Sequence, residues 1–319
     1  MKHHVDRRGF LKRTVAASTG AAMAFGFEER VLAARTEAST NIDVPALSPD
    51  ALPQGQIGDI RISRVICGGN LISGYAHSRD LIYVSELLRN YFTDEKVLDT
   101  LALCEENGVN TAILRLDDHT LRILDKHWRE RDGKLQWIAQ VKPRPNDLTT
   151  DIDRAVEHGA TGVYVQGGVA DRFTEMDKVE WIGAALEHIK QHRVIAGIGA
   201  HALEVVKACE AAGFDPDFYM KTINSKSYWS AGPKERHDSV WAETPQETIA
   251  FMKDVNKPWI GFKVLGAGAI HPREGFPYAF ENGADFLCVG MFDFQVREDI
   301  DIAKAALSRI LTREREWMA

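Results

Sequence analysis

Cysteine is scarce in this 319-residue chain. Its four residues, Cys67, Cys104, Cys209 and Cys288, form no CxxC pair and are too sparse for a disulfide-stapled mini-domain, so they read as buried thiols. Positive charge is also in deficit: 39 Lys+Arg against 46 Asp+Glu leave a formal charge of -7 and a pI near 5.9. A chain without a basic field offers little to a polyphosphate backbone, and nucleic acid is not an expected partner. What is present is ordinary for a soluble chain, 45% apolar and 27% charged residues. That excludes disorder and collagen, and it suffices for one large domain or two small ones around a sizeable core.

The first 34 residues stand apart. The run Arg7-Arg8-Gly9-Phe10-Leu11-Lys12 precedes a small, weakly apolar stretch at 14–26 that is too short and too rich in Gly and Ala to make a good membrane span. The pair resembles a twin-arginine export signal, which implies the twin-arginine machinery as partner, a periplasmic location and no stable span in the mature chain. A cut near Leu32-Ala33-Ala34 fits the signal, and with no cysteine before Cys67 a lipid anchor is excluded. This route carries folded proteins, often with a cofactor already loaded. Residues 35–56, with Pro45, Pro49, Pro53 and Gly55, have linker composition.

From residue 57 to about 312 one pattern recurs, leaving 313–319 as a C-terminal tail. Four helical stretches end at a glycine (Gly108, Gly159, Gly213, Gly283) and run into short apolar segments at 109–114, 162–166, 217–223 and 285–289. Glycine just past a helix end supplies the left-handed turn that sends the chain back along a sheet. Further apolar segments at 60–67, 135–142, 193–199 and 258–265 bring the strand count to eight. Eight such strands alternating with helices predict an α/β fold, a (β/α)8 TIM barrel, with a doubly wound open sheet as the alternative.

In a barrel of this kind chemistry belongs at the C-terminal strand ends. Those ends carry Cys67-Gly68-Gly69-Asn70 with Tyr75 and His77 in the next loop, then Arg115 with Asp117, Asp118 and His119, then Lys142. The remaining ends carry Gln166, His201, Lys221 with Asn224, Lys263, and Asp293. Lysines closing apolar strands are costly unless they face a cavity, an acidic partner or an anion.

The order of Ile62-Ser63-Arg64-Val65-Ile66-Cys67-Gly68-Gly69, Glu106-Asn107-Gly108-Val109-Asn110-Thr111 and Trp137-Ile138-Ala139-Gln140-Val141-Lys142 resembles the aldo-keto reductase superfamily. So do Gly197-Ile198-Gly199-Ala200-His201 and Phe262-Lys263-Val264-Leu265-Gly266-Ala267-Gly268. The resemblance covers about residues 57–310 and implies hydride transfer from NADP or NAD to a carbonyl, with a Tyr proton donor tuned by Lys and Asp and a His at the substrate oxygen. Lys142 falls on the Lys position. Thr111-Ala112-Ile113-Leu114 stand where the Asp is expected, and Val165-Gln166-Gly167-Gly168 where the His is expected. Cofactor contacts fall to Asn224, Tyr228, Gly266, Gly268 and Asp293, the last of which would repel a 2′-phosphate.

Lys142, His119 and Tyr75 are therefore the catalytic candidates. Arg115, His77, Gln166, His201, Lys221, Lys263 and Trp229 are the candidates for binding a small carbonyl or carbohydrate-derived substrate. A cofactor-free alternative, equally open, makes Lys142 or Lys263 the Schiff-base or general-base lysine of an aldolase, isomerase or lyase. A non-catalytic periplasmic binding protein is the third reading. The long loop at 223–243, with Tyr228, Trp229 and Trp241, suits stacking on a sugar or a nicotinamide. His77, His119, His201, His237 and His271 share no diagnostic metal spacing, and no metal is expected. His188 and His192, at i, i+4, read as structural partners of the last helical carbonyls.

Overall fold

A computed structural model describes residues 51–75, 81, 83–225 and 244–319. The twin-arginine segment, His77, Tyr228, Trp229, His237 and Trp241 lie outside these residues. The described chain begins with an antiparallel hairpin, β1 (Gln54–Ile57) and β2 (Ile60–Ser63). Barrel strand β3 (Val65–Gly68) then leads to α1 (Val84–Tyr91) and α2 (Asp94–Glu106). Next come β4 (Thr111–Arg115), α3 (Asp118–Glu130), β5 (Gln136–Val141), α4 (Thr150–Glu157) and β6 (Gly162–Val165). Two helices follow β6, namely α5 (Gly167–Glu175) and α6 (Val179–Gln191), before β7 (Ile195–Ala200), α7 (Leu203–Ala211) and β8 (Phe218–Thr222). The chain ends through α8 (Pro245–Lys253), β9 (Trp259–Phe262), α9 (Pro272–Glu281), β10 (Phe286–Val289) and α10 (Asp293–Arg309).

Strands β3 to β10 are all parallel and close on themselves, β10 pairing with β3 so that Cys288 lies opposite Ile66. The expected (β/α)8 barrel is thus observed. The four turn glycines have φ of +89° (Gly108), +88° (Gly159), +71° (Gly213) and +106° (Gly283), the left-handed region in which a side chain is strained. Of the cysteines, Cys67, Cys104 and Cys209 are buried thiols and Cys288 is partly buried. Among the described residues no helix is long and apolar enough to cross a membrane.

The apolar strands bury both faces. Val65, Leu114, Trp137, Val163 and Trp259 pack outward on the helices, while Ile66, Ile113, Ile138, Tyr164, Phe218, Ile260 and Phe286 fill the barrel interior. Gly197 makes room inside, since a Cβ there would stand 2.2 Å from the Phe218 ring. Isoleucines 57 and 62 of the hairpin join the interior cluster from the N-terminal end of the strands.

Two expectations change here. The segment at 60–67 is two strands, because β2 turns away to pair with β1, and Gln54–Ile57 is sheet where linker composition suggested coil. The break is held by hydrogen bonds from the Ser63 amide to Asn110 Oδ1 (2.8 Å) and from the Arg64 amide to the Pro53 carbonyl (2.8 Å). His188 and His192 do not serve the last carbonyls of α6. Both rings reach across to Asp153 on α4.

The residues after α10 seal the same end of the barrel. Asp285, fully buried, accepts hydrogen bonds from Arg313 (2.6 Å), Arg315 (2.7 Å), the Trp259 amide (2.9 Å) and the Met318 amide (3.0 Å). Arg64 lies over the rings of Phe286 and Trp317 and donates to the Ala319 carbonyl at 2.7 Å.

Candidate active site at the C-terminal mouth of the barrel

The opposite end is built from the residues that close each strand. Arg115, the last residue of β4, forms an ion pair with Asp117 (Nε to Oδ2, 2.9 Å). Asp117 also caps α3, its Oδ1 accepting the Thr120 amide at 2.8 Å, so helix capping fixes the partner that aims the guanidinium. The Tyr75 ring, half exposed in the loop after β3, lies over that guanidinium at 4.2 Å.

Lys142, one residue past β5, stands beside this pair with an exposed side chain. Loss of part of its hydration against the surrounding wall, together with the Arg115 charge, pushes its pKa down. Tyr75, Asp117 and Asp151 act on the same ammonium in the opposite sense. A cavity of about 600 Å³ opens from Lys142 towards α5. Its wall combines the cations Lys142, Arg144 and Arg172, the carboxylate Asp151, the amide of Gln166 and an apolar side made by Val169 and Phe173.

On the neighbouring strands, His201 is held by Asp171 through its Nδ1 (2.7 Å), while the same carboxylate accepts the amides of His201 (3.0 Å) and Ala202 (3.1 Å). Burial lowers the His201 pKa, Asp171 opposes this, and Lys263 and Lys221 add to the lowering. A neutral ring that donates from Nδ1 presents Nε2 as an acceptor. Asn224, buried just past β8, donates to the Lys263 carbonyl at 3.3 Å, and Lys263 takes up a left-handed φ of +58° with its Nζ buried. Gly266 and Gly268 lie in the single helical turn after it, with φ of +53° and +88°.

Several candidates stand elsewhere. Lys221 is wholly buried and donates to the His201 carbonyl (2.7 Å), Thr222 Oγ1 (2.8 Å) and the Thr222 carbonyl (3.3 Å); loss of hydration on burial depresses its pKa to about 7. It braces β7 against β8 and does not reach the cavity wall. His119 sits on α3 and faces Asp94 at 3.4 Å, within a cluster with Arg122 and Lys126 that ties α2 to α3. Asp293 is engaged by Lys96 (2.9 Å) and the Tyr91 hydroxyl, beside the stacked rings of Phe92, Phe292 and Phe294. His271 caps α9 through the Arg273 amide (3.2 Å), so the described mouth histidines do not converge. Sequence reasoning missed Asp171, Arg172, Asp151 and Phe173. The signal for two of them was Asp171-Arg172 one helical turn after Gly167-Gly168, the spacing that returns a helix face to the mouth.

No protein-family profile matches the chain, and no curated protein matches it in sequence. The fold does have solved counterparts. A Pseudomonas aeruginosa protein assigned to the aldo-keto reductases superposes with a TM-score of 0.56 at 16% identity, over 82% of this chain and 99% of that one. An aldo-keto reductase of Bacillus halodurans in its holo form gives 0.54 at 12%, over 79% and 90%. The Gox0644 protein, a variant solved with NADPH, gives 0.52 at 10%, over 79% and 88%. At these identities the likeness establishes the fold: a closed, eight-stranded parallel barrel of the architecture found in aldo-keto reductases.

Proposed function

We propose that the chain is an aldo-keto-reductase-like oxidoreductase that interconverts a small carbonyl compound, among them carbohydrate-derived ones, and its alcohol, and that it acts in the periplasm after twin-arginine export. The observation that carries this reading is the Tyr75 ring seated on the Arg115 guanidinium beside the Lys142 ammonium. A phenol proton and two cations at one point suit a carbonyl oxygen that gains negative charge and then a proton. Asp117 keeps Arg115 at that point, and the Arg144, Arg172 and Lys142 side of the cavity suits a substrate with an anionic or polyhydroxylated tail.

A nicotinamide dinucleotide, when bound, supplies the hydride. The residues present fit its nicotinamide half, which the buried amide of Asn224 and the side chain of Lys263 would hold at the ends of β8 and β9. The Asp293 carboxylate in the first turn of α10 is paired with Lys96, so it sets no preference between NADH and NADPH.

Lys142 also favours a second reading. A lysine with a depressed pKa on a cavity wall can form an imine with a substrate carbonyl, the chemistry of a cofactor-free aldolase, isomerase or lyase. Titration of the purified protein with NADH and NADPH, followed by tryptophan emission, separates the two. Saturable quenching by either dinucleotide, with carbonyl turnover that Lys142→Met abolishes at an unchanged melting temperature, supports the reductase. Absence of quenching together with borohydride trapping of a substrate on Lys142 replaces it with the lysine mechanism. Tight substrate binding with neither result leaves a binding protein.

A further inference from the structure

Away from the mouth, between two helices of the outer ring, lies a group of side chains that the proposed chemistry does not use. His188, in the last turn of α6, and His192, which caps that helix, present their Nε2 atoms to one and the same carboxylate oxygen, Asp153 Oδ1 on α4, at 2.7 and 2.9 Å. Their rings are 5.1 Å apart and nearly perpendicular. The three donor atoms lie within 4.8 Å of one another, and all three residues are partly buried.

One imidazole would suffice to pair with Asp153; two on a single oxygen converge on a point between the three groups. The neighbouring cations on the same helices are turned away from that point, Arg154 to Asp118 and Lys190 to Asp215. The i, i+4 spacing puts both rings on one face of α6, and α4 supplies the carboxylate from across the groove.

We propose that Asp153, His188 and His192 form a divalent cation site on the barrel's outer wall, selective for borderline ions such as Zn²⁺, Ni²⁺ or Cu²⁺ over Mg²⁺ and Ca²⁺. Two imidazole nitrogens and one carboxylate oxygen are the donor set of a three-ligand zinc centre, with water in the fourth position because the groups are partly exposed. Tetrahedral ligands at roughly 2.0–2.1 Å from zinc are about 3.3 Å apart, so the two imidazole-to-carboxylate contacts need lengthen by only about 0.5 Å to take up ligand spacing. Binding moves the Nε2 proton of a neutral ring to its Nδ1, or releases the Nε2 proton of an imidazolium to solvent, and the ion takes over the role those protons play against Asp153. The site thereby cross-links α4 to α6. It does not depend on the proposed reductase chemistry.

The test uses the full chain, freed of metal by chelator and titrated with zinc, nickel and magnesium chlorides by calorimetry and thermal melting. One zinc ion per chain at micromolar affinity or tighter, a raised melting temperature and no response to magnesium are expected. Asp153→Asn and the double variant His188→Gln/His192→Gln should bind zinc at least tenfold more weakly and lose the thermal shift, while melting like the wild type in chelator. Should either variant melt early in chelator, copper electron paramagnetic resonance on the milder His192→Gln replaces it, the nitrogen ligands falling from two to one. Wild-type affinity only in the millimolar range, equal zinc binding by the double variant, or an unchanged nitrogen count would overturn the assignment.

Discussion

The two ends of the barrel treat charge in opposite ways. At the end sealed by the hairpin and the C-terminal residues, Asp285 is fully buried and every oxygen is engaged, by two guanidiniums and two amides, while Arg315 also donates to the carbonyls of Met252, Gly283, Val255 and Lys257. At the mouth, Lys142 and Arg172 point into a cavity, and Arg115 is shared between a carboxylate and an aromatic face. Buried charge that is completely paired locks a structure, whereas charge left facing a hollow is available to a ligand. The same composition therefore yields a foundation at one end and an open, charged hollow at the other.

The sharpest way to break this contrast is at the sealed end. Asp285→Ala strands two guanidiniums beneath the barrel and is expected to cost about 3–5 kcal/mol of stability. Urea unfolding measures this, and a loss below about 1 kcal/mol would mean that the pairing is not what holds the seal. Next in size is Tyr75→Phe, which removes only a hydroxyl: turnover of a carbonyl substrate should fall about a hundredfold or more, with melting unchanged. Retained turnover would move the proton donor elsewhere. The last contrast is a pH dependence that belongs to Lys221. Its pKa in the folded protein, about 7, is below the ordinary 10.5, so between these values the unfolded chain binds the extra proton and stability rises with pH. Lys221→Met should flatten the part of the rise in urea midpoint between pH 7 and about 9.5 that this group causes. Identical slopes in both proteins would remove Lys221 as its source.

The barrel could be read from the sequence because its signals are local. A helix ending in Gly108, Gly159, Gly213 or Gly283 has one common continuation, and the apolar strands that follow can only be buried on both faces. The hairpin was obscured because Ile60 to Gly68 has no glycine or proline turn residue before Gly68, and the bend at Ser63 and Arg64 is held by partners outside the segment, the Asn110 side chain 47 residues away and the Pro53 carbonyl. The site was partly readable. Tyr75, Arg115, Lys142 and Gln166 are strand-end or loop residues; the structure puts the Tyr75 ring on Arg115, and Lys142 and Gln166 on one cavity wall. Lys221 and His119 show the limit: strand alternation does not say whether a terminal lysine rises into the mouth or bends back to main-chain carbonyls, and a helix-start histidine faces whichever neighbour lies beside it. Asp171, Arg172 and Phe173 escaped because they act from α5, an extra helix set between β6 and α6 where the simple strand–helix repeat expects one helix.

That extra helix carries a consequence for selectivity. Because α5 follows β6 almost without a connecting loop and contributes Val169, Arg172 and Phe173 to the hollow, nine residues set much of its outline and polarity. Asp171 and Ala170 tie the same helix to the barrel, so exchanging Arg172 would alter the polarity of what the hollow accepts without loosening the frame.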